Sequence, residues 1–410
     1  MATAHWTTLW TAMPQVAWQV ADHLPPDTFA TFENTTLRQT VRLGTRTTSR
    51  IVRLRLSNTF GTAALGITRA TIGIPVRPGV DDVHLEDDVL HTSGSRFVDA
   101  STLTAVTFSG QLSVTIAAGS LLLSDAITLS ADTLDLSITL YFEHGLATPS
   151  ITTHPGSRTQ SWLCLGDQTE SPSLKGGDAL CSVLHWYFLA GVEEFTSEPR
   201  RALVLLGDSI TDGRCSTDNG NDRWPDLLRE RLPSTAVLLN QSAGGNCLLR
   251  EGTGGPALLD RLERDVLSQP GVAGVLICGG INDIGTSNDS DENSTVTVAA
   301  RLIGVYEAVI DRCAAADLSV LFATITPFYG PGQVYSSPAR VAARQTVNAW
   351  IRTQAMVVDF DQVLRDPEQP SRLREEFDSG DHLHPNVAGF RAMAAVFPVE
   401  FLEDLQRGSA

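Results

Sequence analysis

The stretch Arg201-Ala202-Leu203-Val204-Leu205-Leu206-Gly207-Asp208-Ser209-Ile210-Thr211 decides how the rest of the chain reads. Ala202 to Leu206 is an unbroken apolar run, the pattern of a strand buried on both faces of a parallel sheet. It stops on Gly207-Asp208-Ser209, which sets a hydroxyl at the strand's C-terminal tip. Downstream, apolar runs alternate with helical periodicity. Strands are predicted at Ala236–Asn240, Val272–Cys278, Leu318–Thr324 and Met356–Phe360. Helices are predicted at Trp224–Leu232, Ala257–Leu267, Thr295–Ala316, Ala339–Thr353 and Val387–Leu405. The alternation reads as a doubly wound parallel-sheet α/β domain. In such sheets ligands bind beyond the carboxyl ends of the strands.

Three further polar segments fall where that rule makes them informative. Gly244-Gly245-Asn246 and Gly280-Ile281-Asn282-Asp283 follow the ends of the next two predicted strands. Asp381-His382-Leu383-His384 lies between the last strand and the last helix. All four segments can therefore converge on one sheet edge. A serine hydroxyl needs a base to take its proton, and imidazole titrates near neutrality. His384 is the candidate base for Ser209, and Asp381, three residues earlier, can accept the other ring proton and fix the tautomer. Pro385 biases His384 away from helical geometry. His382, directly beside Asp381, is expected to point elsewhere, as a structural or substrate-side residue. Gly245 allows close backbone approach and Asn282 supplies a neutral amide, both suited to a developing oxyanion.

Each segment also has a plainer reading. Ser209 fits a helix cap, Gly244-Gly245 a turn, Asn282-Asp283 a loop cap, and Asp381 with His384 a surface pair. The order and strand-end placement favour catalysis over these taken singly. The G-x-S-x-G elbow of α/β-hydrolases fails, because Thr211 holds the final position. A metal set drawn from Asp208, Asp212, His382 and His384 lacks the usual ligand spacing, so neither a metal nor another cofactor is expected.

The four segments together resemble the conserved blocks of the SGNH (GDSL-type) hydrolases. The resemblance implies Ser209 as nucleophile with Asp381 and His384 as its base system. It implies an oxyanion hole from the Ser209 and Gly245 backbone and the Asn282 amide, with Asp208 in support. Further stretches look like the two-domain group in which a β-sandwich precedes the catalytic domain. These are Trp10–Gln15, Leu37–Arg42, Arg55–Asn58, Arg223–Asp226 and Asp378–Pro385. After Gly245-Asn246 similar proteins usually carry Arg, and this chain has Cys247, so its substrate preference is expected to differ.

The half before Glu198-Pro199-Arg200 has a different texture. Arg50–Leu56 and Leu134–Phe142 alternate with period two. Further strands are expected at Thr36–Leu43, Gly66–Val76, Thr104–Phe108, Leu112–Ile116, Arg158–Leu165 and Trp186–Val192. Many short strands with turn clusters between them read as an all-β sandwich, jelly-roll-like. The expected division is residues 1–199 as the sandwich and 200–410 as the catalytic domain.

A formal net charge of −17 opposes binding to nucleic-acid phosphate or an anionic membrane. No run reaches the apolar length of a membrane span. Met1 to Trp18 lacks a basic start and a continuous apolar segment, so the protein is expected to be cytoplasmic, or secreted once a leader has been removed. None of the six cysteines forms a C-x-x-C pair, which disfavours a zinc ribbon or dithiol site; Cys164 and Cys181 can pair. The function expected is a serine esterase that hydrolyses an O-acyl ester, a short acyl group on a sugar or small molecule, through an acyl-Ser209 intermediate. The alternatives are an acyltransferase using the same serine, or a carbohydrate-binding protein on an inactive hydrolase fold.

Overall fold

The computed structural model describes residues 4–17, 29–78, 91–147, 150–197, 200–252, 254–288 and 292–402. The chain divides into two compact units, Met1–Glu198 with Asp218–Asn221, and Pro199–Thr217 with Asp222–Ala410. The change of texture at Glu198-Pro199 itself lies outside the described residues. The helix expected to run from Val387 to Leu405 ends instead at Val396, where Phe397 turns extended ahead of Pro398.

The first unit is built of antiparallel sheets that resemble a β-sandwich domain. One sheet runs His5–Thr11, Leu189–Thr196, Ile51–Ser57 and Ile127–Thr128, with Leu121–Leu123 also paired to Ile51–Ser57. The larger one orders Cys181–Val183, Ser161–Leu165, Thr35–Arg42, Asp135–Phe142, Arg69–Gly73 and Thr104–Ala105. Alternation does the sorting within Ile51–Ser57. Val52, Leu54 and Leu56 are fully buried, while Arg53 and Arg55 turn to the other face and clasp the buried Glu193 at 2.5 Å each. Arg38, also fully buried, is held by neutral acceptors: Thr139 Oγ1, Arg96 O and Ser171 O, at 2.7–2.9 Å. Its burial lowers its pKa to about 10.

Two expected strands are each broken in two. Gly66–Val76 separates into Leu65–Ile67 and Arg69–Gly73, which pair with different strands. The break is at Thr68, whose N–H donates to Tyr141 O and whose hydroxyl accepts from Glu143 N–H. Trp186–Val192 breaks at Phe188, where φ is +59°. All six cysteines are free, so the pair considered for Cys164 and Cys181 is not formed.

The second unit is a five-stranded parallel sheet flanked by helices. Its strands are β1 (Arg201–Gly207), β2 (Ala236–Asn240), β3 (Val272–Cys278), β4 (Ser319–Ala323) and β5 (Val357–Val358), in the order β2-β1-β3-β4-β5. The order reverses between β1 and β3, the switch point where doubly wound sheets open a crevice. The helices are α1 (Ser209–Asp212), α2 (Trp224–Arg229), α3 (Leu258–Leu262), α4 (Ile281–Gly285), α5 (Glu292–Ala314), α6 (Pro338–Ile351), α7 (Phe360–Leu364) and α8 (Val387–Val396). Among the described residues no helix is long and apolar enough to cross a membrane.

The strand expected to run through Phe360 stops at Val358. Asp359 takes the Gln362 amide at 3.0 Å and so caps α7, which starts at Phe360. Asp361, buried in the first turn of α7, faces three guanidinium groups. It bonds the buried Arg344, and meets Arg352 at 2.7 Å and Arg365 at 3.3 Å. Removing one member of a buried ion pair strands the other charge. Asp361→Ala should therefore destabilise the protein by about 3–5 kcal/mol, because Arg344 stays buried without a carboxylate. Chemical denaturation followed by circular dichroism checks this; an unchanged midpoint would mean the three arginines are adequately satisfied elsewhere.

Candidate active site

Parallel register brings three loops to one edge. Gly207 pairs with Cys278 and Leu205 with Asn240, so β1 and β3 end level with one another and β2 ends two residues short on the same edge. At the tip of β1 the packing leaves no room for a side chain. A Cβ on Gly207 would lie 2.8–2.9 Å from Thr211 Cβ, Cys278 O and Ser242 Oγ. Asp208 then leaves the strand with extended backbone and accepts the Ile210 N–H at 3.0 Å, which caps the single turn of α1. Gly213 ends that turn at φ +92°, donating its N–H to Ser209 O. Ser209 is thus fixed at the first position of α1, only 9% exposed, with its Oγ 2.7 Å from His384 Nε2.

His384 comes from a loop whose shape is set by hydrogen bonds. Asp381 Oδ1 accepts the backbone N–H groups of Leu383 and His384 at 2.9 and 2.8 Å, while Oδ2 faces His384 Nδ1 at 2.6 Å. With Nδ1–H donated to Asp381, Nε2 is left bare to accept the Ser209 O–H. Burial alone would raise the Asp381 pKa, but the His384 ring, its charge and the two amides hold it well below the usual carboxylate range. Gln333 Nε2 donates to Asp381 O at 2.6 Å, and Ser379 N–H to His384 O at 3.1 Å. His382 turns away at φ +60°, with its Nδ1 2.6 Å from Asp378 Oδ2. A Cβ on Gly330 would sit 2.2 Å from the His382 ring, so glycine is needed there.

The donors expected for an oxyanion are placed as follows. Among the described residues, the backbone N–H groups of Ser209 and Gly245 meet no acceptor. Gly245, at φ +73°, is strung between two anchors. Gly244 N–H donates to Asp212 Oδ2 at 3.2 Å, and Asn246 O accepts from Asn282 Nδ2 at 2.9 Å. Asn282 is buried, and its Oδ1 accepts the Tyr335 hydroxyl at 2.9 Å. The Asn246 carbonyl can only accept, so it decides which end of the amide is which; Tyr335 then donates to Oδ1, and the second Nδ2 hydrogen is left free.

Sequence reasoning missed the groups that hold this loop. Asn246 donates to Gly254 O and Pro256 O, and its Oδ1 accepts from Arg261. Arg261, fully buried, also bonds Gln241 O at 2.7 Å and Asp265 at 3.0 Å. The i,i+4 spacing of Arg261 and Asp265 on a helix was the available signal. Asp283 Oδ2 and Oδ1 accept the Leu248 and Leu249 amides, both at 2.9 Å. Nothing in the sequence around Tyr335 announces its contact. Cys247 is buried 3.7 Å from Gly245 O, and burial pushes its thiol up to about 12.

Of the metal donors weighed from the sequence, Asp208 caps α1 and His382 pairs with Asp378. Among the described residues, the set whose donor atoms lie within 4.8 Å of one another is instead Cys215, Asp381 and His384.

Asp208 is the site's costly carboxylate. Burial, with the charges of Asp283 and Asp212, pushes it up from 3.8 to about 7 against the Ile210 amide that favours ionisation. A carboxyl whose folded pKa is raised holds its proton more tightly when folded. Its contribution is therefore full below the unfolded pKa and is lost as pH rises through the folded one. Asp208→Asn keeps a capping oxygen without that charge. The variant's Tm minus that of the natural protein should rise between about pH 4 and about pH 8. Thermal denaturation across that range checks it, and a flat difference would contradict the burial argument.

Residues 205–392 match the GDSL-like Lipase/Acylhydrolase family. No curated protein matches the chain. Similar solved structures include a GDSL-like lipase from Bacteroides thetaiotaomicron, 19% identical, covering 50% of this chain and 88% of that one with a TM-score of 0.37. The lipase/acylhydrolase from Enterococcus faecalis is 21% identical, over 50% of this chain and 96% of that one, with a TM-score of 0.35. A carbohydrate acetylesterase family member from Sinorhizobium meliloti is 15% identical, over 50% and 99%, with a TM-score of 0.39. From β1 into α8 the chain therefore carries an SGNH/GDSL-like lipase/acylhydrolase fold, preceded by a separate β-sheet region consistent with a β-sandwich-like domain.

Proposed function

We propose that the protein is a serine esterase that cleaves an O-acyl ester through an acyl-Ser209 intermediate. The observation that carries the reading is the unbroken hydrogen-bond chain from Ser209 Oγ through His384 to Asp381, at 2.7 and 2.6 Å. In this scheme Ser209 Oγ attacks the ester carbonyl carbon and its proton passes to His384 Nε2. The imidazolium that results is stabilised by Asp381. The carbonyl oxygen becomes an oxyanion, met by the Ser209 and Gly245 N–H groups and the Asn282 amide. Collapse breaks the ester C–O bond, and His384 returns the proton to the departing alcohol. Water, deprotonated by His384, then attacks the acyl-serine and releases the acid.

The preferred substrate class is a short acyl group on a sugar or small alcohol. A panel of esters varied in acyl length and alcohol tests that class, and a rate that climbs steadily with long acyl chains would argue against it.

Ser209→Ala should lower turnover of a small chromogenic acetate ester by more than about 10⁴-fold, with the circular dichroism spectrum unchanged. Retained turnover would remove Ser209 from its role. Tyr335→Phe removes the hydroxyl that orients Asn282 and leaves the ring packed. A neutral hydrogen bond contributes about 1 kcal/mol, so kcat should fall about 3–10-fold with KM little changed. An unaltered kcat would mean the Asn282 amide holds its orientation without Tyr335.

A further inference from the structure

Cys215 stands beside this machinery without a part in it. It lies in the loop that leaves α1, two residues past Gly213. Gly213 and Arg214 both donate their N–H groups to Ser209 O, at 3.0 and 2.8 Å, which folds the chain back over the nucleophile's turn. Cys215 itself has φ +73°. A residue with a Cβ in that region costs about 1–2 kcal/mol relative to glycine. The backbone thus holds a side chain where glycine would be unstrained. The thiol is exposed, whereas Cys164, Cys247, Cys278 and Cys313 are buried. Its Sγ, an Asp381 carboxylate oxygen and a ring nitrogen of His384 all lie within 4.8 Å of one another.

We infer that Cys215, Asp381 and His384 form a binding site for a thiophilic divalent cation, zinc above others, whose occupation turns the ester site off. A thiolate, an imidazole and a carboxylate are the donors zinc selects, and three protein ligands with one open position make a common zinc arrangement. Ligand atoms around a tetrahedral zinc are roughly 3.3–3.7 Å apart, from bond lengths of about 2.0–2.3 Å. Bringing atoms that already lie within 4.8 Å of one another to that spacing takes a rotation of one exposed Cys side chain and a small shift of the Asp381 carboxylate, itself 40% exposed. The Cys215 thiol gives its proton to water, and sulfur, nitrogen and oxygen each donate an electron pair. No oxidation is involved.

The consequence follows whichever ring nitrogen is used. Coordination through Nε2 takes the lone pair that faces Ser209 Oγ. Coordination through Nδ1 displaces Asp381 from it and forces the ring proton onto Nε2, which then cannot accept from the hydroxyl. Either way Ser209 has no base. Binding is a property of the three side chains alone; only the inhibition rests on the esterase reading.

The test uses the full chain in a buffer that does not bind metal. Zinc chloride is titrated against hydrolysis of the chromogenic acetate ester, each protein referred to its own metal-free rate. Zinc should suppress the natural protein reversibly, with activity returning on addition of EDTA. Cys215→Ser and Cys215→Gly should each need roughly 10–100-fold more zinc for the same suppression. Equal zinc sensitivity in both variants, or equal suppression by magnesium, would overturn the proposal. A second readout needs no turnover. Cobalt(II) added to Ser209→Ala should give a thiolate-to-metal absorption band that disappears when Cys215→Ser is combined with it. A Cys215-dependent band in a protein without esterase activity would leave the site standing and sink the esterase reading. Esterase activity with neither band nor zinc response would do the reverse.

Discussion

The site depends on what the Asp381 carboxylate does to a loop without regular structure. One oxygen gathers two successive backbone amides and the other takes the imidazole of His384. The same group therefore shapes the chain that carries the ring and fixes the ring's tautomer. Carboxylates bonded by several N–H groups are held in the ionised form, in keeping with the depressed pKa of Asp381. Because Asp381 is two-fifths exposed, its desolvation cost is only partial. Asp378 repeats the device one turn earlier in the loop, accepting the N–H groups of Gly380 and His382 and the ring of His382. Asn386 closes it by capping α8 through the Gly389 N–H while donating to Glu376 O and Asp378 O. Short polar side chains do here what a ladder does in a strand.

The donor side is built on the opposite economy, with buried polar groups that are almost fully paired. Asn246 spends its amide on the loop's own carbonyls and its oxygen on Arg261, whose charge is matched by Asp265. Asp283 clamps the chain just beyond Asn246, and Asn282 beside it reaches back to Asn246 O. Such a network is stiff because any displacement strands a buried donor or acceptor. Gly254 shows how tight it is: a Cβ there would fall 2.2 Å from Asn246 N. The free N–H groups at Ser209 and Gly245 are thus held in place by neighbours whose bonds are already made. Preorganised donors of this kind are what charge development in acyl transfer calls for.

Much of this is legible in the sequence, for reasons that also mark the limit. The strands of the second unit read out because a parallel sheet buried on both faces demands unbroken apolar runs, as in Ala202–Leu206 and Val272–Cys278. Once those ends are placed, the polar segments that follow them fall on one edge, whatever family they resemble. The strand endings are less legible where a side chain competes for the backbone, as when Asp359 starts α7 or Thr68 interrupts a sheet. The Tyr335–Asn282 and Arg261–Asn246 contacts are invisible for a different reason. They join residues 53 and 15 positions apart, and no local pattern encodes those partners. Cys215 is hidden likewise, since it lies 166 residues before Asp381 in the chain and only the fold brings them together.

The exposed thiol sharpens the contrast between the two halves of the site. On the donor side the side-chain carboxylates and amides are committed to the loop, and what remains free is N–H, which offers a cation no lone pair. On the base side, the role proposed for His384 requires an exchangeable lone pair, because a base that is permanently satisfied cannot take a proton. That availability is also what a metal ion seeks. A carboxylate and an imidazole alone make a weak site, but a thiolate adds a soft, charged donor. Placing Cys215 within reach therefore changes the chemistry of the pair without changing its geometry. The left-handed backbone at Cys215 carries the conformational cost of that placement, at a position where glycine would have been the cheaper residue.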